Sequence, residues 1–318
     1  MVQSILVTGG AGTLGRALAP LLLREGYRVR LLDIVPPEAA PGAEALQGDI
    51  RLVDDVRRAI AAMDALVHTA AWHGIHLRDH PAEDFWELNV EGTRNVYEAA
   101  AQAGVSRAVF SSTMGVYGDS RRPSPDGPAV RVHEDLPLLP ADIYGLSKLL
   151  GEEIAAYHER AHQIRGVALR FGMFVPVPFV HYGIRLLYGG VDERDVARAV
   201  VAALRRLERG EGAFASYNVE SALPFNDDDG RELRLSPMSA VARHWPHAPV
   251  LLGRFGTIPW NDPVQPGAGL LPIHEVFEVD KARRELGWQP RYNFDQFLEG
   301  LRRGTSTAEE LVPPQGST

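Results

Sequence analysis

Tyr144 and Lys148 stand four residues apart in the stretch DIYGLSKLLGEE, Asp142 to Glu153. On a helix that spacing brings both side chains to one face, one turn apart. A free tyrosine titrates near 10, too high to serve as a base at neutral pH. An ammonium one turn away favours the phenolate and lowers that value, so the pair is suited to moving a proton on or off a hydroxyl. Taken alone, the same two residues also read as ordinary surface neighbours.

A second constellation lies near the start. Gly9, Gly12 and Gly15 in VTGGAGTLGRAL recur every three residues between a strand pattern and a helical one. Gly9 permits a tight turn, Gly12 lets backbone approach a pyrophosphate, and Gly15 allows close helix–strand packing. Thr13 and Leu14 open the helix whose free N–H groups and dipole favour the phosphates. The strand–turn–helix setting favours a dinucleotide site over a turn that binds nothing. Asp33 closes the second strand 18 residues beyond Gly15. A carboxylate there accepts bonds from ribose hydroxyls and repels a 2′-phosphate, and the following IVPPEAA holds no Arg. The expected cofactor is NAD. Asp49 and Ile50 follow the third strand, where they would flank an adenine; a helix N-cap is the competing role for Asp49.

The elements that must position these groups alternate. Strand patterns cover residues 4–10, 27–33, 43–49, 64–71, 107–113 and 165–171, and helical patterns cover 13–26, 52–63, 82–103 and 142–162. That rhythm predicts an α/β fold: a Rossmann-type, doubly wound parallel sheet with right-handed crossovers. It fades after about Phe174, where Pro, Gly and Asp accumulate. Residues 1–172 are expected to form the NAD-binding domain. Residues 173–303 form mostly a small C-terminal substrate-binding lobe with segments returning to the core, and 304–318 a flexible tail.

Bulk properties agree with an enzyme. The 318 residues are 45% hydrophobic and 23% charged, ordinary for a globular protein. A net charge of −8 offers no footprint for nucleic acid or an anionic membrane. With no cysteine, disulfides, thiolate nucleophiles and thiolate metal ligands are excluded. No signal-peptide pattern and no membrane-length apolar run is present, which points to the cytoplasm.

In order, TGGAGTLG, HTAA, NVEGTRNV, FSSTMGVYG and YGLSK resemble the extended short-chain dehydrogenase/reductases, the NAD-dependent epimerase/dehydratase family. The resemblance spans about Ser4 to Phe171 and recurs near Asp195 and in DKARRELGWQPRYNF. It implies hydride transfer between a carbinol and nicotinamide, with Tyr144 as base and acid. Lys148 would tune Tyr144 and bond the nicotinamide ribose. Thr113 matches the Ser/Thr that orients the substrate oxygen, with Ser112 a close second. Ala70 and Ala71 resemble the small residues lining the nicotinamide side, and Asn89 matches an Asn read as structural. Many relatives dimerise through the helices at 82–103 and 142–162, so a homodimer is expected.

The substrate segment departs from nucleotide-sugar epimerases. Met173 stands near their usual Asn, and only about twenty residues separate it from DERDVARAV. This shortened layout is similar to uronate dehydrogenases, with Arg170, Gly172, Pro178 and the Arg185–Leu187 stretch in matching places. Arg185 would then clamp a carboxylate or hydroxyl; a pairing with Asp192 or Glu193 is the alternative. Ser112-Thr113-Met114 replaces the Ser-Asn-His of those enzymes, which makes Met114 a substrate candidate. Trp72, His73 and His76 sit at the expected cleft mouth. His73, His76 and His80 share a loop without fixed geometry, and no metal is expected. FNDDDGRE departs from an EF-hand and reads as a solvated turn. Trp245, Trp260 and His274 belong to the lobe, with packing as their default role. The function expected is an NAD-dependent oxidoreductase acting at a carbinol of a small sugar, sugar acid or polyol. The alternative is an epimerase or dehydratase that retains its NAD. A non-catalytic NAD-binding protein is disfavoured by the Tyr–Lys pair.

Overall fold

The computed structural model describes residues 2–38, 40–254 and 270–313; Trp260 lies outside them. In chain order the first half contains β1 (Ser4–Thr8), α1 (Thr13–Arg24), β2 (Arg28–Asp33), β3 (Glu44–Gln47), α2 (Val53–Ile60), β4 (Ala65–His68), α3 (Ala82–Phe85), α4 (Gly92–Gln102), β5 (Arg107–Thr113), β6 (Val130–Val132), α5 (Ile143–His162) and β7 (Arg165–Phe171). The second half contains α6 (Phe179–Arg185), α7 (Glu193–Arg209), β8 (Ala215–Val219), α8 (Gly230–Leu235), α9 (Pro237–His244), α10 (Ala248–Gly253), β9 (Glu275–Phe277), α11 (Asp280–Leu286) and α12 (Phe294–Arg303).

The main sheet has seven strands in the order β3-β2-β1-β4-β5-β7-β8, all paired in parallel. Its inner strands are apolar on both faces, as a parallel sheet covered by helices requires. Ile5 and Val7 of β1 join the core under α1 and α7, while Leu6 joins the core under α2, α4 and α5. The order reverses between β1 and β4, so a crevice opens at their carboxyl ends, where doubly wound folds bind ligands. The expected Rossmann-type architecture is borne out.

Four details correct or sharpen the sequence reading. The helix at 82–103 is interrupted by a π-helical stretch, Trp86–Glu91, between α3 and α4. β8 returns from the C-terminal half as the seventh strand, and β6 and β9 form a separate two-stranded parallel sheet. FNDDDGRE is more than a solvated turn, because buried Asp229 accepts from Arg243 and His244. Residues 304–313 are packed: Leu311 is buried in the lobe, and Ala308 O accepts from Arg194. The lobe has its own core around Trp245, Phe294 and Phe297, with Trp245 Nε1 donating to Asp295 Oδ1 at 2.5 Å. His274 is exposed.

Candidate active site

The glycine turn separates two demands. A Cβ on Gly9, whose φ is +74°, would lie 2.6 Å from Thr69 Oγ1 and 2.8 Å from Ala70 N. One on Gly15 would lie 2.6 Å from the carbonyl oxygens of Gly9 and Gly10. Gly10, not singled out from the sequence, would strike Leu31 Cβ at 2.7 Å. The fold itself therefore requires these three. Gly12 is different: its Cβ would meet only Gly9 O, at 3.2 Å. Its bareness is needed less for packing than theirs, and it leaves a surface that a pyrophosphate can approach. Gly12 caps α1 without a side chain, and the first intrahelical bond runs from Arg16 N to Gly12 O at 3.0 Å. The N–H groups of Thr13, Leu14 and Gly15 precede it, as an anion site requires.

Asp33 closes the cradle from β2. Its Oδ2 accepts from Ala11 N at 3.0 Å and its Oδ1 from Val35 N at 3.1 Å, and each oxygen keeps a lone pair. Asp49 is held by Arg51, whose Nη2 lies 2.6 Å from Oδ2. It is not the cap of α2, since that position belongs to Leu52. Ile50 is buried against Gly92, with Asn95 donating to its carbonyl. These residues fit a dinucleotide.

Across the crevice, Asp142 Oδ1 accepts from Gly145 N at 2.7 Å and starts α5, which carries Tyr144 and Lys148. A Cβ on Gly145 would lie 2.7 Å from Gly115 O, so the helix packs directly onto the turn that follows β5. Thr113 begins that turn by accepting from Gly115 N at 3.1 Å, and its side chain stands close enough to the Tyr144 hydroxyl to act on it. Ser112 is taken by Glu152 of α5, donating to its Oε1 at 2.5 Å. The structure thus brings Thr113, and not Ser112, to the Tyr144 hydroxyl.

Lys148 is buried, donates from Nζ to Ser111 O at 2.8 Å, and lies 5.1 Å from the centre of the Phe110 ring. Burial pushes it down to about 7. Burial pushes Tyr144 up to about 12, opposed by the Thr113 hydroxyl and reinforced by Asp142. Without further positive charge the tyrosine keeps its proton, and the lysine titrates near neutrality.

The support beneath this pair was not foreseen in detail. Asn89, in the π-helical stretch, accepts from Trp72 N at 2.7 Å and donates to Trp72 O and Ser147 Oγ, each at 2.9 Å. It thereby ties the loop after β4 to α5. His68 bonds Thr8 Oγ1 through Nδ1 at 2.7 Å and Thr93 Oγ1 through Nε2 at 2.9 Å. Thr93 donates onward to Asn89 O, so His68 carries its proton on Nε2. Burial, then the charge of Lys148, lowers His68 to about 3, and it is neutral. HTAA contained this signal, but only the network reveals its use.

The remaining candidates divide. His73 lies with its ring centre 6.3 Å from that of Tyr144, and burial, then Lys148 and His76, lowers it to about 3. Trp72 stacks on His80 with ring centres 3.9 Å apart, away from the pair. Met114 opens the turn after Thr113 and reaches Gly189. Arg185 is buried, donates to Val175 O, and lies 6.0 Å over the Tyr182 ring. Among the described residues it has no hydrogen bond or ion pair with Asp192, Glu193 or Tyr144, although both acids act on its charge. Ala70 and Ala71 follow β4 at the crevice.

The family model for NAD dependent epimerase/dehydratases matches residues 5–183. The uronate dehydrogenase of Pseudomonas putida is 32% identical over 202 residues, covering 63% of this chain and 70% of that protein. The UDP-glucose 4-epimerase of Streptomyces lividans is 32% identical over 195 residues, covering 59% of this chain and 56% of that protein. A solved short-chain dehydrogenase/reductase superfamily protein from Agrobacterium tumefaciens, with bound NAD, aligns with a TM-score of 0.68 and 26% identity. That alignment covers 95% of this chain and 98% of the other.

Proposed function

The chain belongs to the NAD dependent epimerase/dehydratase family, and from that premise we propose that it oxidises or reduces a carbinol of a small sugar, sugar acid or related polyol. NAD, when bound, supplies the hydride acceptor or donor. The placement of Tyr144 and Lys148 on one face of α5 beside Thr113, at the sheet's carboxyl edge, carries the reading. In the oxidation direction, the carbinol carbon gives up hydride, its hydroxyl gives its proton to Tyr144 Oη, and a carbonyl forms. Thr113 holds the same oxygen. Protonated Lys148 adds the positive field that moves Tyr144 down from its buried value toward a usable phenolate. Gly9, Gly12, Thr13, Leu14 and Gly15 would hold the pyrophosphate, Asp33 the ribose, and Ala70 and Ala71 the nicotinamide side.

The test is a screen of sugars, uronates and nucleotide sugars for NADH formation by ultraviolet absorbance. Replacing Tyr144 by Phe should lower kcat by about 10²–10⁴ while NAD binding is unchanged. Unchanged turnover would remove Tyr144 from the chemistry. The likeness to an epimerase supports a second reading, in which hydride returns within one turnover. In that case absorbance stays flat while the sugar changes configuration. The short segment between β7 and α7, with α6 its single helix, favours a compact substrate over a nucleotide sugar.

A cytoplasmic homodimer completes the proposal. Leu146 and Tyr157 of α5, with Trp86 nearby in sequence to α4, are exposed apolar residues on the helices many relatives pair. Light scattering that reports a monomer at micromolar concentration would refute the dimer.

A further inference from the structure

Glu220 follows β8 directly, at the carboxyl edge of the sheet. It is 1% exposed, and neither of its carboxyl oxygens has a hydrogen-bond partner among the described residues. No other acid among them is buried with both oxygens unmet. Buried polar groups are almost always satisfied, so an orphan carboxyl at a ligand-binding edge calls for a ligand that completes it.

Register gives its place. Thr113, Phe171 and Val219 are level across β5, β7 and β8, so Glu220 stands one residue past the edge and two strands from Thr113. Two strand spacings separate the two backbones by about 10 Å, and a hexose-sized polyol lying over the edge of the sheet spans a distance of that order. Alternation along β8 sends Glu220 to the face of Ser216 and Asn218, which bond Glu152 of α5 and Tyr117; this is the face that α5 covers. The layer above is stripped of side chains. A Cβ on Gly172 would overlap Glu220 Oε2, and one on Gly189 would lie 3.1 Å from Met114 Sδ. Two charged groups act on the carboxyl, Arg121 and Glu275, themselves paired at 2.8 Å. Both line a cavity of about 150 Å³ with Gly115 and Asp142, residues that flank Thr113 and Tyr144. Arg121 Nε, beside it, is one of several further buried polar atoms without a partner among the described residues.

We propose that Glu220 is a specificity-determining residue whose carboxyl receives a substrate hydroxyl distant from the carbinol addressed by Thr113 and Tyr144. This inference rests on the hydroxylated substrate proposed above. Burial raises Glu220 well above the usual carboxylate range, with Arg121 opposing and Glu275 adding to the rise. A protonated carboxyl both donates to and accepts from a hydroxyl, which suits it to reading a polyol.

The test compares wild type, Glu220→Gln and Glu220→Leu on the best substrate of the NAD-reduction screen and on its single-position deoxy analogues. NADH-loaded protein is titrated calorimetrically with the same compounds, and NAD affinity and Tm are recorded throughout. Wild type should reject one deoxy analogue by about a hundredfold or more in kcat/KM. Glu220→Leu should lose that discrimination through KM, with NAD affinity intact, and Glu220→Gln should retain part of it. If Leu does not fold, Gln decides alone. Equal discrimination in all proteins, with only Tm shifted, overturns the inference and marks Glu220 as an acid satisfied by internal water. If nothing reduces NAD but calorimetric binding still depends on Glu220, the redox reading falls and the inference stands. If neither turnover nor binding of any hydroxylated compound is found, both fall.

Discussion

Glu152 and Glu220 are both buried on the α5 side of the same sheet, yet their surroundings are opposite. Glu152 accepts from Ser112 Oγ, from Arg170 Nε and Nη2, and from Ser216 Oγ, at 2.5 to 3.0 Å. Arg170 continues to the Tyr117 hydroxyl, and Tyr117 to Asn218. Glu220 has none of this. The first carboxylate is complete within the protein and holds β5, β7, β8 and α5 in register. The second is complete only with something added. Burial alone therefore does not separate structural from functional acids; satisfaction does.

The contrast can be broken at several points. Arg170→Leu strands Glu152 as an unpaired buried charge and should cost about 3–5 kcal/mol, measured by urea denaturation. Lys148 tests a buried charge kept for chemistry. Its folded value of about 7 lies below its ordinary 10.5, so the folded state carries the full burial penalty below pH 7 and sheds it between pH 7 and 10.5. Lys148→Met should thus abolish turnover yet raise stability at pH 6 by about 2 kcal/mol, after allowing for the lost bond to Ser111 O. Thermal melts across pH check the sign. His68 is depressed to about 3 from 6.5, so its contribution is present above pH 6.5 and is lost as pH falls toward 3. The wild type should lose about 1 kcal/mol per pH unit there from this residue, and His68→Gln should flatten the slope. Glu220→Leu should have the smallest effect, within about 1 kcal/mol of wild type or more stable. A loss as large as that from Arg170→Leu would erase the distinction.

The turn, strand end and helix face proposed for the nucleotide were legible in the sequence because their signals are local. A glycine turn, Asp33 at a strand end, and a Tyr–Lys pair one helical turn apart follow from short-range spacing. The substrate half depends on register instead. Glu220 belongs beside Gly172 only because β8 crosses back to pair with β7, and ASYNV is too short to say which returning segment pairs there or in what register. Choosing Thr113 over Ser112 likewise required the folded arrangement, because Tyr144 and Glu152 both lie on α5 and only the packed helix shows that Ser112 is taken by Glu152. β6 and β9, three residues each, lie below any periodicity. Residues 304–313 read as a tail because their buried anchor, Leu311, stands in a short stretch of Gly, Thr, Ser, Glu and Pro with no periodicity to announce packing.

The π-helical stretch at Trp86–Glu91 acts as a clutch between the two sides of the cleft. A π turn holds one residue more than an α turn, so deleting a single residue there would restore ordinary winding. Everything N-terminal to it would swing by about 100° about the helix axis relative to α4. Asn89 would then release either the Trp72 backbone or Ser147, and the loop beside Tyr144 would lose its tie to α5. One surplus residue keeps the two engaged.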